Sequence, residues 1–128
     1  MTTTGERCAP HLPGLEGPDL QRAYYYVIFP NMLVSLQPDL VLVHRLARNG
    51  PGKSLITCEW LYHPDAIAEP GFDPGPAVQF WDETNSQDWA ICERSQRGVS
   101  SRAYTPGPYS SLETMLAVID RQYLQTMS

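Results

Sequence analysis

The chemistry-bearing residues of this 128-residue chain gather in one stretch, Phe80 to Gly98, which reads FWDETNSQDWAICERSQRG. Two tryptophans stand there beside Asp82, Glu83, Asp88 and Glu93. A helix beginning near Asn85 places Asp88 at its third position, where free backbone N–H groups and the helix dipole favour a carboxylate. Two readings of Asp88 follow: a helix-start cap, or a carboxylate fixed in place for a metal. A mononuclear non-haem iron takes two imidazoles and one carboxylate on one triangular face, leaving positions for oxygen. On such a helix Asp88 and Cys92 lie one turn apart on the same side, with Ser95 a further turn on, while Trp89 and Ile91 point elsewhere.

The other reactive side chains are scattered. His11, His44 and His63 form no HExxH motif and no pair within a helical turn. His44, between Val43 and Arg45 in an apolar run, is either a hydrogen-bonded sheet residue or a pocket-lining one, and His63 reads as a strand-end turn residue. Cys8, Cys58 and Cys92 make an odd count without a close pair, which argues against a disulfide framework, a zinc knuckle or an iron–sulfur cluster. No GxSxG elbow accompanies Ser100-Ser101, and Asn49 to Lys53 has the wrong glycine spacing for a phosphate loop.

Composition narrows the classes further. Nine Lys and Arg face 14 Asp and Glu, a formal net charge of −5, with the basic residues dispersed. That field repels a phosphate backbone, so no nucleic-acid partner is expected. No apolar run is long enough to span a bilayer, and Met1 to Glu6 lacks the basic and apolar regions of a signal peptide, so a cytoplasmic protein without a membrane partner is expected. The 12 prolines and nine glycines fall in connectors rather than in periodic repeats.

Positioning elements can be read around these residues. Residues 1–19 form an irregular lead-in. Ala23–Phe29, Met32–Leu36, Leu40–Leu46 and Ser54–Tyr62 carry the aromatic and β-branched residues of strands, broken by Pro30-Asn31, Pro38-Asp39 and Arg48 to Lys53. Prolines 64, 70, 74 and 76 exclude a long regular element there, leaving a helical turn at Ala66–Glu69 and a helix start at Ala77–Trp81. Asn85–Arg97 reads as a further helix, ended by Gly98. Ser110–Met127 reads as the clearest helix, with a Ser110/Glu113 capping-box spacing and a stripe of Leu112, Met115, Leu116, Ile119 and Tyr123. That stripe is expected to pack on the sheet. Strands first and helices second argue for an α+β fold with an antiparallel sheet followed by helices.

The chain also resembles a known family. LPGL at Leu12 to Leu15, YYYVIFPNMLVSLQPD at Tyr24 to Asp39, VHRLA at Val43 to Ala47, CEWLYHPD at Cys58 to Asp65, and the run Phe80 to Glu113 together resemble Rieske-type ring-hydroxylating oxygenase alpha subunits. The likeness is to the C-terminal catalytic-domain part, in the branch of choline and glycine-betaine monooxygenase-like proteins. It implies a partial helix-grip (START/Bet v 1-like) domain over residues 20–128. It also implies O2-dependent ring dihydroxylation, monohydroxylation or N-demethylation of a small organic substrate, with NAD(P)H electrons arriving through a reductase or ferredoxin. The cofactors implied are a mononuclear non-haem Fe(II) and a Rieske 2Fe–2S cluster. The family pattern of D, then E at five, Q at eight and G at ten, falls on Asp88, Glu93, Gln96 and Gly98. Asp88 is thereby the expected iron ligand, with Glu93 and Gln96 as polar groups around it; a shifted alignment puts the ligand on Asn85. Sheet residues Tyr26, Met32, Val34 and His44 are expected to wall the substrate pocket.

This sequence carries neither the CxH…CxxH Rieske pattern nor the HxxxxH pair. No catalytic set is complete in it, and the isolated chain is expected to bind no cofactor and to be inactive. The leading reading is therefore a truncated or split alpha subunit that works in an oligomer or with an upstream oxygenase fragment. The alternatives are a non-catalytic small-ligand-binding or interaction module derived from that domain, and an unrelated α+β protein in which Asp88 is only a cap.

Overall fold

The computed structural model describes residues 2–128. Four strands, β1 (Tyr24–Ile28), β2 (Met32–Leu36), β3 (Val41–Arg48) and β4 (Ser54–Leu61), pair in chain order as an antiparallel meander. Helices α1 (Pro64–Ala68), α2 (Gly75–Val99) and α3 (Thr114–Met127) follow, so the α+β order read from the sequence is observed. The turn signals lie at the strand ends. Pro30 follows β1 through a cis Phe29–Pro30 bond, and Asn31 exchanges two hydrogen bonds with the backbone of Leu46. Between β3 and β4, Gly50 and Gly52 take φ of 84° and 78°, a left-handed backbone that a side chain would strain.

The chain divides into two compact units, one running to Glu93 and the other spanning Arg94–Ser128. In the first, the core consists of Leu40, Leu42, Ala77 and Trp81, with Cys8, Trp60, Tyr62 and Phe80 packed against it. The irregular lead-in reaches this core through two bonds to the β2–β3 turn. Leu12 N–H donates to the Pro38 carbonyl at 2.7 Å, and Cys8 N–H donates to Asp39 Oδ2 at 3.2 Å. Asp39 is a buried carboxylate, 2 % exposed, so the bond from Cys8 offsets part of its desolvation.

The region from Ala77 to Gly98 differs from its reading in two pieces. It is one helix that begins at Gly75, so Asn85 does not start a helix and Asp88 lies in mid-helix. Pro76 is tolerated because the first helical N–H groups have no intrahelical acceptor. Asp73 Oδ1 accepts from Gly75 N–H at 2.8 Å, and no breaker interrupts the residues up to Arg97. Thr84, the residue least suited to the join, returns its hydroxyl to the Phe80 carbonyl at 2.9 Å. The cap reading of Asp88 therefore falls.

In the second unit α3 begins at Thr114 rather than Ser110. The Ser110/Glu113 pair forms half of a capping box: Glu113 Oε2 accepts the Ser110 N–H at 2.7 Å, which holds that carboxyl below its usual range. Ser110 itself sits in the turn before the helix. The expected apolar stripe is present but uncovered, with Leu112 93 % and Met115 66 % exposed, Leu116 exposed and Ile119 half-buried. Helical periodicity states that one face seeks burial; it does not name the surface that provides it.

Tyr62 gives the fold a pH signature. Its hydroxyl is enclosed with no protein partner, while its ring meets Phe72 edge-on at 5.0 Å. Burial pushes the phenol up to about 12, reinforced by the Cys8 sulfur and the Asp39 and Asp73 carboxylates. A raised folded-state value means that Tyr62 contributes stability below its ordinary value near 10, which is lost as pH rises toward 12. Denaturant melts of Tyr62→Phe should match or exceed the wild type at pH 8 and should lack this component of alkaline destabilisation. Leu42→Ala should lose about 2–5 kcal/mol at pH 8, as a core truncation.

Candidate functional site

A cluster of polar groups lies where α2 crosses β3 and β4. Ala77, Trp81 and Asn85 are its buried residues, spaced four apart, and so form one stripe on the helix. The third member is polar. Asn85 Oδ1 lies 3.3 Å from His44 Nε2, and Asn85 Nδ2 donates to Cys58 Sγ at 3.7 Å. His44 and Cys58 are themselves cross-strand partners in the β3–β4 ladder. One carboxamide thus bridges two strands. With Oδ1 toward the imidazole, the amide oxygen accepts from His44 in the tautomer that has its proton on Nε2. Burial pushes the Cys58 thiol up, and the Asp82 carboxylate adds to the shift.

Asp88 is exposed on α2, three residues beyond Asn85. Glu93 is exposed on the same helix. Gln96 is also exposed and spends its amide on the Ser100 hydroxyl at 3.2 Å. Among the described residues, no three His, Cys, Asp or Glu side chains come together to hold a metal ion. The three cysteines are free. α2 presents four exposed carboxylates, Asp82, Glu83, Asp88 and Glu93.

The expected pocket residues divide between the faces of the sheet. Tyr26 pairs with Val34 and Val34 with Val43, whereas His44 pairs with Leu33. Tyr26, Met32 and Val34 accordingly share the face that carries Arg45 and Glu59, which pair at 2.7 Å. His44 shares the face of Leu42, Cys58 and Trp60, which α2 covers. The Leu36↔Val41 pairing leaves a four-residue connection, and this even number reverses which alternate positions face the helix. Asn85 as a bridge went unread, although a polar residue four after Trp81 on an apolar stripe was the available signal.

The whole chain, residues 1–128, matches the family model of the ring hydroxylating alpha subunit (catalytic domain). The chain belongs to this family. It is 37 % identical over 111 residues to the glycine betaine monooxygenase oxygenase subunit of Chromohalobacter salexigens, covering 86 % of this chain and 25 % of the relative. The subunit of the same name from two strains of Pseudomonas aeruginosa is 33 % identical over 111 residues, with 86 % and 26 % covered. This ring-hydroxylating alpha-subunit chain thus spans about a quarter of the length of the curated relatives it matches. Among its described residues no helix is long and apolar enough to cross a membrane.

The thiol environments can be checked directly. Only a thiolate is alkylated, so at pH 8 exposed Cys92 should react with iodoacetamide faster than Cys58, by roughly tenfold or more. Asp82→Asn removes the charge that raises the Cys58 thiol and should speed its labelling. Equal rates at Cys58 and Cys92, read by peptide mass spectrometry, would contradict the assigned environment.

Proposed function

We propose that these 128 residues form the C-terminal part of the catalytic domain of a Rieske-type non-haem iron oxygenase alpha subunit. On this reading they work in the cytoplasm, within an oligomer or beside the remainder of the subunit. The observation that carries the reading is the family match across the whole chain, joined to 37 % identity with a glycine betaine monooxygenase subunit. The substrate class it supports is a small methylated amine, hydroxylated or N-demethylated with O2 and with electrons from NAD(P)H delivered through a reductase or ferredoxin. Asp88 supplies the carboxylate arm of the mononuclear iron site, both histidines and the 2Fe–2S cluster coming from other segments. Glu93 and Gln96 are the polar groups placed further along the same helix. Tyr26, Met32 and Val34 on one face, and His44 on the other, are the sheet positions proposed to meet substrate. The sheet itself is proposed as part of a helix-grip domain.

A second reading is a small-ligand-binding or interaction module without catalysis, derived from the same domain.

The deciding variant is Asp88→Ala, and its mid-helix position makes it clean. Exposed Asp in a helix interior is a weaker helix former than Ala, so the substitution should leave stability within about 0.5 kcal/mol or raise it slightly. Combined with the Rieske and two-histidine segments of an alpha subunit, the wild-type chain should restore mononuclear iron. The Asp88→Ala assembly should keep the 2Fe–2S absorption and lose that iron. Full mononuclear iron in a folded Asp88→Ala assembly rejects the ligand assignment, and Asn85→Ala becomes the next variant to measure. An assembly that never gains iron with the wild-type chain supports the module reading.

A further inference from the structure

We infer that Asn85 is a positioning residue, whose buried carboxamide sets the rotation of α2 on the sheet and so the direction in which Asp88 leaves the helix. The inference deepens the proposed function and rests on the reading of Asp88 as a ligand. Three observations support it. Asn85 is 7 % exposed although it is polar, and it ends a stripe whose other members, Ala77 and Trp81, are apolar. Apolar contacts alone tolerate sliding and rotation, because they are non-directional. The two amide bonds do not: one reaches His44 on β3 and the other Cys58 on β4, at cross-strand positions. A planar group held at both ends fixes the azimuth of its helix. Asp88 follows three residues later, less than one turn away, so any rotation at Asn85 is carried to it with little loss.

A ligating group has to be held within about 10–20° of its working direction, and losing a group that orients a ligand typically costs about 10–100-fold in metal affinity. The test is residual dipolar couplings measured on the 15N-labelled 128-residue chain, which report the orientation of α2 against β3 and β4. In Asn85→Leu, similar in volume and apolar, the Trp81–Glu93 couplings should change by a rotation beyond that tolerance or collapse toward averaging. The melting midpoint should not fall in proportion. A purely structural role for Asn85 would move the midpoint and leave the couplings in place. If Asn85→Leu does not fold, Cys58→Ala removes one end of the bridge and should give a smaller change of the same kind. Unchanged couplings in Asn85→Leu, or in Cys58→Ala where that variant takes its place, overturn the inference.

Iron content separates the two readings. In the reconstituted assembly Asn85→Leu should weaken mononuclear iron binding by roughly 10–100-fold. Full iron in Asp88→Ala overturns the ligand reading while the coupling result stands; unchanged couplings overturn the positioning role whatever the iron content.

Discussion

The seating of α2 on β3 is the contact from which the rest of the site follows. Leu40, Leu42, Ala77 and Trp81 form its buried cluster, and both partners advance in commensurate steps. Four helical residues rise about 6.0 Å, and two strand residues rise about 6.6 Å. Ala77, Trp81 and Asn85 share one stripe of α2, and Leu42 and His44 share one face of β3. Beyond the cluster of Leu40, Leu42, Ala77 and Trp81, the Asn85 carboxamide lies beside the His44 imidazole. The cross-strand pairing of His44 with Cys58 then supplies the second partner. No separate device is needed to build the polar cluster; it is the continuation of the core beyond its apolar end.

The strands were legible because their signals are local. Alternating aromatic and β-branched residues mark each strand, and Pro30-Asn31, Pro38-Asp39 and the glycines of the β3–β4 hairpin mark its ends. Which residues share a face was not local. Connections of three and five residues keep the parity of alternate positions between paired strands, as in Tyr26↔Val34 and His44↔Cys58. The four-residue connection between β2 and β3 reverses it, pairing Val34 with Val43. One residue of connection length thus decides whether His44 sits with Tyr26 or against α2, and turn composition alone does not fix that length.

The helix was misdivided for a related reason. Asn, Asp and Ser are favoured at helix starts, so Asn85-Ser86 looked like an N-terminus with Asp88 at the third position. Asn85 instead serves the sheet. A side chain that would cap a helix by reaching its own backbone can sit in the interior when a neighbouring element satisfies it. The information that settled this lies on His44 and Cys58, 41 and 27 residues away. Family likeness carried the candidate ligand position that local pattern could not, through the spacing of Asp88, Glu93, Gln96 and Gly98 along what is now one continuous helix.

The division of polar residues on α2 has an electrostatic logic. Position 85 is enclosed between two strands, with the His44 imidazole and the Cys58 thiol, which burial pushes up, as its partners. A carboxylate there would lose its hydration and gain no fixed cation, a cost of several kcal/mol. An amide carries no charge, and both of its ends are engaged, each bond contributing a modest net gain. The charged groups of α2 stand where solvent still reaches them, Asp82 just before the bridge and Asp88 just after it. Asp82 is near enough to Cys58 to raise the thiol further, so the edge of the cluster already feels negative potential. The helix thus carries two kinds of polar group: a buried amide engaged with both strands, and carboxylates left in reach of solvent.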